Sequence, residues 1–264
     1  MSKQKYDKFS KPVAAPAVVT NKKMPRVLVI GNDAYAKPVR TMLYKRGYEY
    51  TSTINNAEYH MAFFLGGHDV SPFLYGEKRL KDTYCDPDRD MDELKLFHSL
   101  GGDDPYFPKV GICRGAQFLN VMSGGSLWQD VNGHYANKGV LVHDMFDVTK
   151  EATKKYNGPR RIQTTSTHHQ MMIPGPMGDV ICKSFLSTVK RNDAKTISID
   201  RPLNGEGDAE VVYYWHTGCL CVQGHPEYDQ SPEFTDYFFE LLEDTYDYTY
   251  KQLRGEIVKK EAAA

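Results

Sequence analysis

The stretch VGICRGAQFLNVMSGGSLWQD, residues 110–130, places a cysteine between two glycines, where an apolar run gives way to a helical pattern. KVGIC (109–113) reads as a buried strand, and residues 114–123 read as a helix with Ala116, Leu119 and Met122 on one face. A nucleophile at such a strand-to-helix turn sits on sharp, strained backbone. Side chains two positions to either side would collide there, and Gly111 and Gly115 remove them. The Cys113 thiol then lies at a helix N-terminus, where the dipole favours thiolate. The N–H of Arg114 points to where an oxyanion would form. Free cysteine is also among the most buried residue types, so G-x-C-x-G alone leaves a packed thiol open as well.

Working outward, RVLVIG (26–31) and MAFFLGG (61–67) read as further buried strands, each stopped by glycine. A helix over 34–46 separates them, ending at Gly47. A second helix is expected from Asp90, as N-cap with Glu93 three residues on, followed by Leu94, Phe97 and Leu100. Strand, helix, strand, helix implies a parallel sheet covered on both faces. The second half changes character. VLVHDMFDV, RIQTTST, VICKSFL, TISID, EVVYYWH and CLCVQG read as strands with short turns between many of them, so several pairs should be antiparallel. A last helix begins near Pro232, with Phe234, Phe238, Leu241 and Leu242 on its apolar face. The expected fold is therefore α/β, with a mixed, mostly parallel central sheet flanked by helices and an antiparallel portion in the second half.

The 264 residues are 41% hydrophobic and 25% charged, with a formal net charge of −1. That balance gives no global field for nucleic acid or an anionic membrane. No run approaches the ~20 apolar residues of a membrane helix, and the N-terminus lacks a secretory h-region. Five scattered cysteines without C-x-x-C spacing suit free thiols in a reducing cytoplasm. Residues 1–25, rich in lysine and then Pro/Ala, read as a disordered basic tail, 26–254 as one catalytic domain, and 255–264 as a C-terminal tail.

A cysteine nucleophile needs a base and an orienting group. VQGHPEY (222–228) offers both. His225 follows a β-like run and a glycine, and Glu227 lies where its carboxylate can fold back onto the imidazole.

G-I-C-R-G-A-Q (111–117) followed by Q-G-H-P-E (223–227) resembles the class I glutamine amidotransferase superfamily, and more narrowly its γ-glutamyl hydrolase branch, which includes γ-glutamyl-γ-aminobutyrate hydrolases. F-L-G-G-H-D-V-S-P-F-L-Y-G-E (64–77), the run from Gln117 to Asp130 and S-T-H-H-Q (166–170) extend the likeness over roughly residues 26–245. The resemblance implies a flavodoxin-like fold and a Cys113–His225–Glu227 triad. It further implies an oxyanion hole from the N–H groups of Gly67 and Arg114, and substrate contacts from Gly66, Gln117, Ser166, Thr167 and His168. It implies a small-molecule γ-glutamyl substrate, with no cofactor and no metal; neither HExxH nor paired C-x-x-C occurs. The branch often has Asn where Thr165 stands. Asp86, Arg89 and Asp90 also match it, and capping with a local ion pair accounts for them equally well. Gly66-Gly67 alone would fit a plain turn, and Gln117 a helix surface.

The expected reaction is hydrolysis of a γ-glutamyl amide through a thioester, releasing glutamate. The same triad serves a glutaminase subunit that passes ammonia to a separate ATP-dependent synthetase. No P-loop occurs, so that reading requires a synthetase partner chain. A non-catalytic binding protein on this fold would be expected to have lost part of the triad. A homodimer is compatible with the sequence.

Overall fold

The computed structural model describes residues 25–54, 59–136, 138–200 and 207–253. The two expected tails lie outside these residues, except for Pro25. In chain order the elements are β1 (Arg26–Ile30), α1 (Asp33–Lys45), β2 (Glu49–Thr51), β3 (Met61–Phe64), α2 (Pro87–Ser99), β4 (Lys109–Ile112), α3 (Arg114–Met122), β5 (Ser126–Trp128), β6 (Asp130–Val131), β7 (Leu141–Asp147), α4 (Lys150–Tyr156), β8 (Arg160–Ser166), β9 (Met171–Ile173), β10 (Gly178–Ser184), β11 (Val189–Arg191), β12 (Thr196–Ser198), β13 (Asp208–Tyr214), β14 (Cys219–Val222) and α5 (Pro232–Leu253).

Among the described residues a nine-stranded sheet runs in the order β2-β1-β3-β4-β14-β13-β10-β7-β8. Its first five strands pair in parallel. From β14 onward the pairs are antiparallel. The sheet thus switches from parallel to antiparallel at β14, as the change in sequence character implies. Side chains alternate across it: Val27 and Val29 join one apolar layer, with Val39 and Leu43 of α1 and Phe234 and Phe238 of α5. Leu28 and Phe64 join the other, with Phe97 of α2 and Phe118 and Leu119 of α3. Burial on both faces of the sheet explains why β1, β3, β4 and β14 read as unbroken apolar runs, whereas the edge strand β2 is largely exposed.

Three sequence readings shift. Helix α2 begins one turn earlier, because Asp86 caps it by accepting from the Arg89 N–H and Pro87 occupies the first turn. Asp90 is left free for another task. The strand expected over 61–67 ends at Phe64, so 65–67 is a loop. The helix α4 carries a Thr149 cap and ends on Asn157 in the left-handed conformation; its short polar sequence gave no apolar period to read.

Candidate active site

In an open α/β sheet, binding crevices form at the carboxyl ends of parallel strands. Here β3, β4 and β14 are neighbours, and their ends deliver the 65–67 loop, Cys113 and the 223–227 turn to one place. Cys113 joins β4 to α3 with φ +54° and ψ −113°, a conformation that costs a non-glycine residue roughly 1–3 kcal/mol. Its N–H donates to Val222 O at 2.9 Å and its carbonyl accepts from Gln117 N. The flanking glycines are obligatory here. A Cβ on Gly111 would lie 2.4 Å from Gly115 O, and one on Gly115 would lie 1.9 Å from Phe64 O.

His225 is 3% exposed and its Nδ1 lies 2.8 Å from Glu227 Oε1. Burial alone would push this imidazole down; the adjacent Cys113 thiol and the Glu227 carboxylate outweigh it and hold His225 well above the ordinary histidine range. Tyr228 lies flat on the ring, 4.4 Å between centroids and 4° from parallel. Thr165 fixes the His225 backbone from both sides: its Oγ1 donates to His225 O at 2.8 Å and accepts from His225 N at 3.2 Å. Gly66 completes the meeting point, since a methyl built on it would lie 3.6 Å from His225 Cε1 and 3.9 Å from Cys113 Cβ.

The loop that carries Gly66 and Gly67 is held by Arg89. Its guanidinium donates to Leu65 O and Gly66 O, both at 3.0 Å, and to Glu93 Oε1 at 2.8 Å. Gly67 has φ +147°, and any Cβ there would lie 1.9 Å from Arg89 Nη1. The buried Arg114 side chain pairs with Glu93 and Asp90, and Asp90 accepts from Ser71 N at 2.8 Å. Two arginines and two acids therefore tie the elbow, α2 and the glycine loop together. Sequence reasoning assigned Asp90 a capping role and Arg89 a local ion pair. The spacing of Arg89, Asp90 and Glu93 on one helix face is the signal that could have shown more.

The remaining residues named from the sequence divide. Thr167 is exposed, and its Oγ1 lies 3.0 Å from His225 Nε2. Gln117 is buried, with Nε2 donating to Gln170 O at 3.1 Å and to Gln223 Oε1 at 3.3 Å. Ser166 donates its hydroxyl to His134 O. His168 is 5% exposed, stacked on His134 with its Nδ1 at 2.8 Å from Gln170 O. Its side chain thus lies in the interior, and Thr167 is the exposed residue of the 166–168 strap. His169 turns the other way, to Asp69 at 3.1 Å. Among the described residues no helix is long and apolar enough to cross a membrane.

Comparison with known proteins agrees with this architecture. The 46% identical, glutamine amidotransferase-like YvdE homolog of Lactococcus lactis subsp. cremoris aligns over 120 residues, 40% of this chain and 60% of that one. The related protein YvdE of subsp. lactis is 46% identical over 69 residues, 25% of this chain and 28% of that one. The chain spans less than two thirds of the length of these curated relatives. A glutamine amidotransferase from Thermotoga maritima superposes with a TM-score of 0.51 over 92% of this chain and 87% of that one, at 12% identity, a likeness of fold. The peptidase C26 family model matches residues 34–177, more than half of the sequence, and the chain belongs to the peptidase C26 family.

Proposed function

We propose that the chain hydrolyses a γ-glutamyl amide bond through a γ-glutamyl thioester on Cys113. The observation that supports this most is the strained, positive-φ Cys113 beside an imidazole whose far nitrogen is held by Glu227. A raised His225 beside the thiol keeps a proton-bearing imidazole next to the nucleophile, ready to serve as the acid that a departing amine needs. The thiolate attacks the amide carbonyl, and the charge developing on oxygen is received by the N–H groups of Gly67 and Arg114. As the C–N bond breaks, His225 gives its proton to the departing ammonia or amine. Water then loses a proton to His225 and attacks the thioester. Glutamate leaves and the thiolate–imidazolium pair is restored. Glu227 fixes the imidazole throughout, and Thr165 fixes its backbone.

The glutamyl head group would lie between Gly66, the N-terminal turn of α3 at Gln117, and the strap at Ser166, Thr167 and His168. Beyond Thr167 a cleft of about 590 Å³ opens, lined by Tyr84, Tyr135, Asp130, His169 and Arg191. It offers room for the amine side of a substrate larger than glutamine.

The decisive experiment assays the purified chain alone against γ-glutamyl amines and glutamine. Release of glutamate that is lost in Cys113→Ser supports the hydrolase. Failure of a glutamine-like electrophile to label Cys113 would overturn the γ-glutamyl assignment. The names of the relatives favour a second reading, an ammonia-supplying glutaminase subunit. It predicts that glutamine is cleaved only beside an ATP-dependent partner.

A further inference from the structure

Next to the strap lies a cluster that this mechanism does not use. His134, in the loop after β6, His143 on β7 and Glu210 on β13 are 0%, 7% and 1% exposed. One ligand atom from each lies within 4.8 Å of the other two. His134 Nδ1 and His143 Nε2 both sit 3.6 Å from Glu210 Oε1. That is too long for a hydrogen bond. Neither nitrogen has a hydrogen-bond partner, and neither does Glu210 Oε2. Each such buried, unpaired atom costs about 1–3 kcal/mol, so a cluster that gathers several calls for an occupant.

The outward side of each ring is engaged. His134 Nε2 lies 3.0 Å from Asp208 Oδ2, and His143 Nδ1 lies 3.2 Å from Asp144 O. With ring protons donated outward to a carboxylate and a carbonyl, the lone pairs of Nδ1 and Nε2 face Glu210. Histidines that ligate metals are oriented by just this kind of outer partner. The outer partners are themselves secured: Lys190 pairs with Asp208 at 2.6 Å, and Ser184 donates to Glu210 Oε1 at 2.7 Å. The spacing also fits. Zinc–nitrogen bonds of ~2.0–2.1 Å in a tetrahedron set neighbouring ligand atoms about 3.4 Å apart. The observed 3.6 Å contacts are near that value, whereas a charge-assisted N–H···O pair would close to about 2.8 Å.

We infer that His134, His143 and Glu210 bind a divalent cation of the zinc class. Two imidazoles and one carboxylate suit that ion, and Glu210 Oε2 or a water can take the fourth position. The role is structural. In the sheet, β13 and β7 are separated by β10, so the ion staples the antiparallel half to the loop that carries His134. The His134 carbonyl accepts from Ser166 Oγ and from His168 N. These residues flank Thr167, which meets His225 Nε2. The ion would thereby hold the strap against the catalytic imidazole. No local motif announces such a site, because its ligands come from three separated segments.

The test is metal content and binding in tag-free protein, wild type and Cys113→Ser. One equivalent of zinc is expected in both. Cobalt substituted for zinc should give the visible d–d absorption of a tetrahedral site in both. Stripping with a chelator should lower Tm, and zinc at about a hundredfold over its Kd should restore roughly 5–8 °C. Glu210→Gln and His143→Ala should lose the ion; if either fails to fold, the stripped wild type still decides. Zinc that vanishes in Cys113→Ser would place the ion on the catalytic pair and overturn the inference. So would a wild-type chain that neither carries metal nor gains stability from added zinc or cobalt.

Discussion

The Arg89 guanidinium donates to the Gly66 carbonyl at 3.0 Å and thereby fixes the plane of the peptide whose N–H belongs to Gly67. A second Arg89 nitrogen holds Leu65 O, so one planar fork sets two successive peptides. Arg89→Met should lower kcat/KM about 10²-fold, the scale of one oxyanion donor lost. Arg89→Lys should recover little, because a point donor cannot hold both carbonyls. Steady-state kinetics on a γ-glutamyl anilide checks this, with a urea midpoint to separate misfolding from mispositioning. Equal kcat/KM in Arg89→Met and wild type would refute the role.

Two glycines near Cys113 should respond in opposite ways to the same methyl group. Gly115→Ala drives a Cβ to 1.9 Å from Phe64 O, against backbone that cannot yield, so a stability loss of about 3 kcal/mol or more is expected. Gly66→Ala meets nothing nearer than 3.5 Å, and stability should stay within about 1 kcal/mol. Its methyl would nevertheless lie 3.6 Å from His225 Cε1 and 3.9 Å from Cys113 Cβ, and under the proposed function, which brings a carbonyl to these two residues, kcat/KM should fall by about 10²-fold or more. Denaturant unfolding and kinetics on the two variants check the contrast.

These glycines also show what was legible in the sequence. Gly111, Cys113 and Gly115 form a local pattern, and a turn that excludes Cβ atoms can be read from spacing alone. His225 and Glu227 are two residues apart, so their pairing was legible too. Four of the five parallel strands were readable because double burial writes continuous apolar runs; the exposed edge strand β2, Glu49–Thr51, has no such run and was not. The local Arg89–Glu93 pair was within reach of the spacing, but Thr165's hold on His225 and the reach of Arg89 to Leu65 O and Gly66 O were not, because those partners are backbone atoms of other segments. His168 was placed with the substrate by likeness; its ring packs inward because the strap alternates, sending His169 to Asp69 and His168 to His134. Alternation says that neighbours diverge, but it does not say which side holds the core.

The His225 imidazole should titrate well above ~6.5, the ordinary histidine value. Burial opposes the charge, and the leading opposing cause is Cys113, followed by Glu227. Cys113→Ala removes that partner and leaves the burial, so the sign of the change is downward. A downward shift is expected in the titration of the His225 ring protons by NMR. An unchanged midpoint in Cys113→Ala would mean that the thiol and imidazole are not electrostatically coupled.

His169 gives a pH dependence of stability with a definite direction. Its hydrogen bond to Asp69 raises its pKa in the folded chain, with burial as the opposing cause. The protonated form is therefore favoured by folding. The contribution is fully present below the unfolded value of ~6.5 and is lost as pH rises through the folded value. Asp69→Asn keeps an acceptor for Tyr84 N but removes the nearer of the two carboxylate charges facing His169, leaving Asp130 at 3.6 Å from its Nδ1. The variant should be less stable than wild type near pH 5.5, by up to about 1 kcal/mol after allowance for the ring's partial exposure. The two should converge as pH rises past the folded value, when the imidazole is neutral in both states. Urea midpoints measured at several pH values check the trend. A destabilisation that grows toward high pH would reverse the sign and show that His169 is held by something other than the Asp69 charge.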